Sequence, residues 1–349
     1  MWWKKCRLKK RSGPGCAVWE ITLACNLNCI HCGSAAGKER SDELSTEEAL
    51  QLCNDLKRIG CKGVALMGGE PLLRHDWGTI SEKVHDLDME LSIITNGWLG
   101  QNNVITQKIV DLSPECVTVS LDGGESSIHD MIRGVEGSFE RATKAIDRYA
   151  GLGLPTSVIT TVHKLNLKEI TKIRDFLMGK GVAWQIQMAT PHGRLKREHV
   201  LSKDEFYSVA LFIAATRKLY SKELKVAGAH DMGYFSTILD ELQVMSWQGC
   251  QAGIGTLGIQ SNGNITGCLA LPEQFIEGNV RERSLSEIWY DDESFKYSRY
   301  VKMSDMKAHC AGCEFRGICK GGCSAVSVTV GKGLHQDPFC VRHIEQSMQ

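Results

Sequence analysis

Six short runs rich in Val and Ile recur along the first 190 residues, at 17–22, 63–67, 91–95, 116–121, 157–162 and 184–188. Each has the length of a strand and is apolar enough to be buried on both faces of a sheet. Between them the apolar positions switch to a helical period. Ser45-Thr46-Glu47-Glu48 forms a capping box, and Leu52, Cys53, Leu56 and Ile59 then make one apolar stripe. Phe139, Ala142, Ile146 and Tyr149 make a second, stopped near Gly151 and Gly153. Asn166 is placed to cap a third, which carries Ile170, Ile173 and Leu177.

Strands joined through helices need crossovers, which means a parallel sheet. The expected fold class is therefore α/β, a curved and incomplete (β/α)6 TIM-like barrel with its chemistry at the C-terminal ends of the strands. The texture changes twice after that. Residues 201–249 read as a helical bridge, with Phe206, Val209, Ala210 and Ile213 at helical spacing. From 250 to 349, a hairpin over 256–260 and 264–266, turning at Ser261-Asn262-Gly263, is followed by loop-rich chain that would need metal staples. The division expected is a basic arm over 1–16, a core over 17–200, the bridge, and a loop-rich iron–sulfur domain over 250–349.

Composition narrows the function. The 349 residues carry 41 Lys+Arg against 41 Asp+Glu, and a general nucleic-acid binder would show a basic excess. No apolar run reaches the length of a membrane span. The arm (Lys4, Lys5, Arg7, Lys9, Lys10, Arg11) has no apolar segment after it, so it is not a secretory signal, and a cytoplasmic location follows. Fifteen cysteines in a reducing compartment then point to metal or iron–sulfur binding rather than disulfides.

Their placement is uneven. Cys25, Cys29 and Cys32 share one loop directly after the first strand, residues 117–249 hold no cysteine, and Cys250, Cys268, Cys310, Cys313, Cys319, Cys323 and Cys340 fill the C-terminal region. Cys53 and Cys116 read as small core residues, Cys61 as structural, and Cys6 and Cys16 as unligated thiols. Three thiolates can hold three irons of a [4Fe–4S] cube, whose protein ligands normally number four, so one iron is left for an outside ligand. Zinc is the alternative. It would need His31 as a fourth ligand at the first loop, and His309 or His343 to complete a second site in the C-terminal array.

The Cys-x3-Cys-x2-Cys loop resembles the signature of the radical S-adenosylmethionine (SAM) superfamily. The resemblance implies that SAM chelates the free iron and is cleaved reductively to a 5′-deoxyadenosyl radical, which abstracts hydrogen from the substrate. It also implies SAM contacts from Gly68, Gly69 and Glu70, with the Glu70 carboxylate toward the ammonium, and from Thr95, Asn96, Ser120 and Asp122 at strand ends. Arg133, in His129-Asp130-Met131-Ile132-Arg133-Gly134, would bind a carboxylate or simply form a salt bridge. His31 stands where the family usually has an aromatic residue near adenine. The seven-cysteine array resembles the SPASM extension, which binds two auxiliary [4Fe–4S] clusters. Cys250, Cys268 and Cys323 would hold the first, and Cys310, Cys313, Cys319 and Cys340 the second. The first is then one thiolate short, with Cys6, Cys16 and His230 as candidates for the fourth position, or an open iron for a substrate thiolate.

SPASM relatives act mostly on peptides, so the resemblance implies an oxidoreductase that installs a crosslink or thioether in a ribosomal peptide. Sulfatase-type maturation is disfavoured, because Leu269 stands where those enzymes carry an Asp. Only about 16 residues precede the first strand; a separate carrier protein would then hold a leader peptide, with flavodoxin or ferredoxin as electron donor. A small-molecule substrate (tetrapyrrole, cofactor or antibiotic precursor) is the alternative, and a non-catalytic iron–sulfur or zinc scaffold the reading from a different class.

Overall fold

The computed structural model describes residues 12–348 apart from 230, 231, 233, 234, 237, 240, 241 and 243–247. All six expected strands form within one residue of their expected bounds: β1 (Cys16–Thr22), β2 (Gly63–Gly68), β3 (Glu90–Thr95), β4 (Cys116–Ser120), β5 (Thr156–Val162) and β6 (Ala183–Met188). They pair in parallel in chain order. Helices α1 (Thr46–Arg58), α2 (Trp77–Asp86), α3 (Asn103–Leu112), α4 (Ser126–Arg133), α5 (Ser138–Gly151) and α6 (Ile170–Leu177) supply the crossovers. The capping box at Ser45 and Glu48 forms as expected.

Three local expectations change. β2 is buried on both faces over 63–66, as expected, but β4, β5 and β6 are not. In β4, β5 and β6, buried residues such as Val117, Val119, Val158, Trp184 and Ile186 alternate with half-buried Thr118, Ser120, Ser157, Thr161, Gln185 and Gln187. The buried set packs under the helices, which leaves a polar concave face where a closed barrel would pack its core. Cys116 belongs to that face, with Ser157 Oγ 3.4 Å from its Sγ, and is not a core residue. Asn166 does not cap α6. Its amide donates to the Asp122 and Thr161 carbonyls (2.9 and 3.0 Å), and a 3-10 turn over Leu167–Glu169 delays the helix.

The stretch expected to be a helical bridge is helical over α7 (Lys203–Tyr220) and then adds a seventh parallel strand, β7 (Lys225–Gly228), beside β6. Four residues with two exposed side chains give too little pattern to mark that strand in advance. The hairpin of β8 (Thr256–Ile259) and β9 (Asn264–Thr266) joins the same sheet. β8 pairs in parallel with β1, Cys16 opposite Thr256 and Trp19 opposite Ile259. With β10 (Ile276–Asn279) the strand order is β10-β9-β8-β1-β2-β3-β4-β5-β6-β7. Short helices α8 (Leu285–Tyr290), α9 (Lys296–Arg299), α10 (Arg316–Cys319), α11 (Ser324–Thr329) and α12 (Val341–Met348) carry the remainder. No described helix is long and apolar enough to cross a membrane.

Candidate active site and cluster sites

The Cys25–Cys32 loop leaves the C-terminal end of β1 and is held from three sides. From β2, the Gly69 and Glu70 N–H groups donate to the Thr22 and Ala24 carbonyls at 2.8 and 2.7 Å. A side chain at Gly68 or Gly69 would place its Cβ 2.3 Å from Thr22 O or 2.2 Å from Ala24 O, so this approach requires glycine at both positions. From α4, the last carbonyls of the helix, Ile132 and Arg133, accept from the Ile30 and Asn28 N–H groups at 2.9 and 3.0 Å. Gly134, at φ +73°, then turns the chain, and a Cβ added there would stand 2.5 Å from Asn28 O. From the loop after β6, the Arg194 N–H donates to Cys32 O (3.0 Å), while its Nε and Nη1 reach Cys29 O (2.8 Å) and Ala36 O (2.7 Å). Sequence reasoning missed Arg194; the available signal was Gly193-Arg194 shortly after β6, with Gly193 forced to φ +62° against the Cys32 carbonyl.

The three thiols lie together. Burial pushes Cys25 up to about 11, the Leu27 N–H works against it, and the neighbouring Glu70, Cys29 and Cys32 add to the rise. Asn96 sits against the loop, its Nδ2 2.9 Å from Asn26 Oδ1 and 4.0 Å from Cys25 Sγ. The Glu70 carboxylate, expected to face an ammonium, is fully buried and already accepts from the Thr95 hydroxyl (2.8 Å), the Asn96 N–H (2.7 Å) and the Leu72 N–H (3.3 Å). Burial pushes its pKa up to about 7 against the pull of those donors. Its observed role is to tie the ends of β2 and β3 together.

Asp122, at the end of β4, is the hub of a buried polar cluster. Its Oδ2 lies 2.5 Å from Arg133 Nη2 and 3.2 Å from His31 Nε2, and its Oδ1 accepts from the Thr161 N–H at 2.8 Å. Burial works to raise its pKa, but Arg133 and His31 hold it far below the usual carboxylate range. Arg133 also places Nη1 3.7 Å from Cys29 Sγ, so one guanidinium links this carboxylate to a candidate ligand thiol. The Asp122 N–H donates to His129 Nδ1 (3.1 Å), and burial holds His129 down to about 3, hence neutral. His163, not singled out from sequence, faces His31 with ring centroids 5.4 Å apart. Ser120 stays half-buried on the concave face.

Among the described residues, buried Asn26 Nδ2, His31 Nδ1, Arg133 Nε and His163 Nε2 have no partner. Such polar atoms fit a polar ligand seated at the strand ends, as SAM would be, because burying them unpaired is costly.

Two groups of thiols form in the C-terminal region. Cys310, Cys313, Cys319 and Cys340 line one cavity of about 190 Å³, with His309, His343, Arg316 and Arg342 in its wall. The two histidine rings stack at 4.0 Å. Burial, then neighbouring charge, pushes Cys310 up to about 12. Four thiols lining one cavity suit a cube. Among the described residues no three His, Cys, Asp or Glu side chains converge on a point for a single metal ion. Cys268 stands beside Cys250, which together with burial raises it to about 11. The Cys323 N–H donates to Asp337 Oδ2 at 2.9 Å, and Gly249 packs on the Cys319 carbonyl, bringing the two segments side by side. Of the three candidates for a fourth ligand, Cys6 and His230 lie outside the described residues. Cys16 stands at the start of β1 beside Cys61.

Comparison with known proteins agrees with this geometry. Residues 19–177 match the radical SAM superfamily, and residues 250–314 match an iron–sulfur cluster-binding domain, SPASM. The AdoMet-dependent heme synthase of Methanosarcina barkeri is 30% identical over 345 residues, covering 95% of this chain and 97% of the relative. The mycofactocin maturase MftC of Mycolicibacterium smegmatis is 26% identical, covering 94% of this chain and 83% of the relative. The SAM-bound structure of Streptococcus suis SuiB shares the fold, with a TM-score of 0.73 at 21% identity over 94% of this chain and 77% of that one. The cofactors are accordingly SAM, the [4Fe–4S] cluster that binds it, and auxiliary iron–sulfur clusters. The chain belongs to the radical SAM superfamily and is an enzyme of its SPASM-bearing branch.

Proposed function

We propose that this radical SAM enzyme acts on a carboxylate-bearing iron tetrapyrrole. That moves the small-molecule alternative ahead of the peptide substrate expected from sequence. The observation that carries it is the 30% identity, along nearly the whole of both chains, to a relative named for heme synthesis. A second relative from the same organism, at 30% over 93% of this chain and 86% of its own length, is named Fe-coproporphyrin III synthase. The concave face supports the same reading. It offers half-buried Ser120, Thr161, Gln185 and Gln187 below the His31, Arg133 and His163 cluster, where a polar, anionic molecule finds donors.

In this reading Cys25, Cys29 and Cys32 hold the SAM-binding cluster, with Arg133 and His31 facing SAM or substrate. Cys310, Cys313, Cys319 and Cys340 hold one auxiliary cluster, and Cys250, Cys268 and Cys323 a second. When bound and reduced, the first cluster supplies the electron that cleaves SAM. The chain's own residues seat SAM, keep Asp122 ionised and exclude water from the strand ends. A flavodoxin- or ferredoxin-type donor would deliver the electron. The second reading, a peptide substrate, rests on the 26% identity to MftC.

The test is anaerobic turnover of the reconstituted enzyme with SAM, a strong reductant and Fe-coproporphyrin III. Porphyrin-stimulated 5′-deoxyadenosine and a mass change in the porphyrin are expected. An unchanged porphyrin beside a mass shift in a co-expressed peptide would replace this reading with the second.

A further inference from the structure

The site of Cys250 and Cys268 carries a polar group that no ligand assignment uses. Tyr297 lies on α9, which is fastened to the loop after Cys250: the Ser298 hydroxyl donates to Ala252 O (2.5 Å) and Arg299 Nε to Gly253 O (2.6 Å). The Tyr297 ring meets Phe275 edge-on at 5.0 Å. Its hydroxyl rests over Gly267, the residue before Cys268, where an added Cβ would stand 2.2 Å from the oxygen. Glycine at 267 therefore makes room for the phenol. The hydroxyl oxygen is buried, and among the described residues no acceptor meets its proton. A phenol is protonated at neutral pH, so the group is a donor.

We propose that Tyr297 is a positioning residue for the auxiliary cluster held by Cys250 and Cys268, its hydroxyl donating a hydrogen bond to a sulfur of that cluster. The inference rests on the radical SAM–SPASM reading and goes beyond it, because it assigns a role to a residue outside the cysteine array. A donor to cluster sulfur stabilises the more negative, reduced state, and hydrogen bonds of this kind set cluster potentials. Tyr297 would thus keep the three-thiolate site easier to reduce than its ligand set alone would make it.

The experiment is an EPR-monitored redox titration of the full-length, iron-loaded enzyme and its Tyr297→Phe variant. Total iron and the SAM-perturbed signal of the first cluster report on the underlying reading, and the auxiliary midpoints report on the inference. Expected are unchanged iron, an unchanged SAM-perturbed signal, and one auxiliary midpoint moved to a more negative value. Unchanged auxiliary midpoints overturn the proposal. So does loss of a whole cluster's iron, since a hydrogen-bond donor is not a ligand. Resonance Raman of the unmodified enzyme gives a second measurement that does not depend on the variant folding. Iron–sulfur bands that shift in D2O support the donor, and bands that do not shift refute it.

Discussion

Arg194 reaches back 165 positions along the chain to Cys29 and closes the loop that carries Cys25, Cys29 and Cys32. Its guanidinium donates to the Cys29 and Ala36 carbonyls, two charge-assisted bonds together worth on the order of 3 kcal/mol. Arg194→Ala should therefore loosen the loop without touching a thiol. The expected outcome is a first cluster that loses iron on gel filtration and at least tenfold slower 5′-deoxyadenosine formation, with auxiliary iron retained. Iron per chain and single-turnover SAM cleavage check this, and full activity would show that β2 and α4 suffice to hold the loop. The grouping of Cys25, Cys29 and Cys32 was legible in sequence because it is local, three thiols within eight residues. Arg194 and His163 were not, because their roles exist only once the ends of β5 and β6 stand beside the end of β1. Glu70 was legible as a position, but its buried, triply bonded carboxylate was not.

At the scale of elements, the strands announced themselves through Val and Ile runs, and α1 through its capping box. Their faces did not, because a strand against an open concave surface and one in a filled barrel differ in only a few hydroxyl and amide side chains. How the C-terminal hairpin docks on α1 was also invisible in sequence. Arg281, just after β10, donates to both Glu48 oxygens (2.6 and 2.7 Å), to Asp42 O (2.9 Å) and to Glu43 O (3.2 Å). The hydrogen bonds from Arg281 hold Glu48 down to about 2. A carboxylate depressed on folding stabilises the native state above its unfolded pKa near 4.5, and that contribution is lost as pH falls toward 2. Both side chains are more than a third exposed, so solvent screening limits the pair to about 0.2–1 kcal/mol. Thermal unfolding of the wild type and Arg281→Ala should differ by a constant, small amount from pH 8 down to pH 5, and the gap should narrow below about 4.5. A gap that widens in acid would assign the stabilisation to something other than this ion pair.

Across the whole molecule, the division into a core and an iron–sulfur domain describes the motifs better than it describes the sheet. β8 comes from beyond residue 250 yet forms the parallel neighbour of β1, the strand that delivers the Cys25–Cys32 loop. Around that seam, Arg40 joins Glu20 (2.9 Å) and Ser261 (3.0 Å), while Leu257, Ile259 and Ile265 are completely buried in the common core. A chain cut after residue 249 would leave β1 as an open edge of apolar strand, a template for aggregation. It would also expose Ala17, Trp19 and Ile21, and each large side chain returned to water costs about 1.5–3 kcal/mol. The truncated chain should therefore be recovered largely as aggregate and give no SAM cleavage. Changing Cys25, Cys29 and Cys32 together to Ala in the full chain should instead leave a folded, iron-containing protein that makes no 5′-deoxyadenosine. Sedimentation and iron analysis separate the two variants. If the truncated chain stayed monomeric and cleaved SAM at the full-length rate, the β1–β8 pairing would be dispensable and the core would be an independent folding unit.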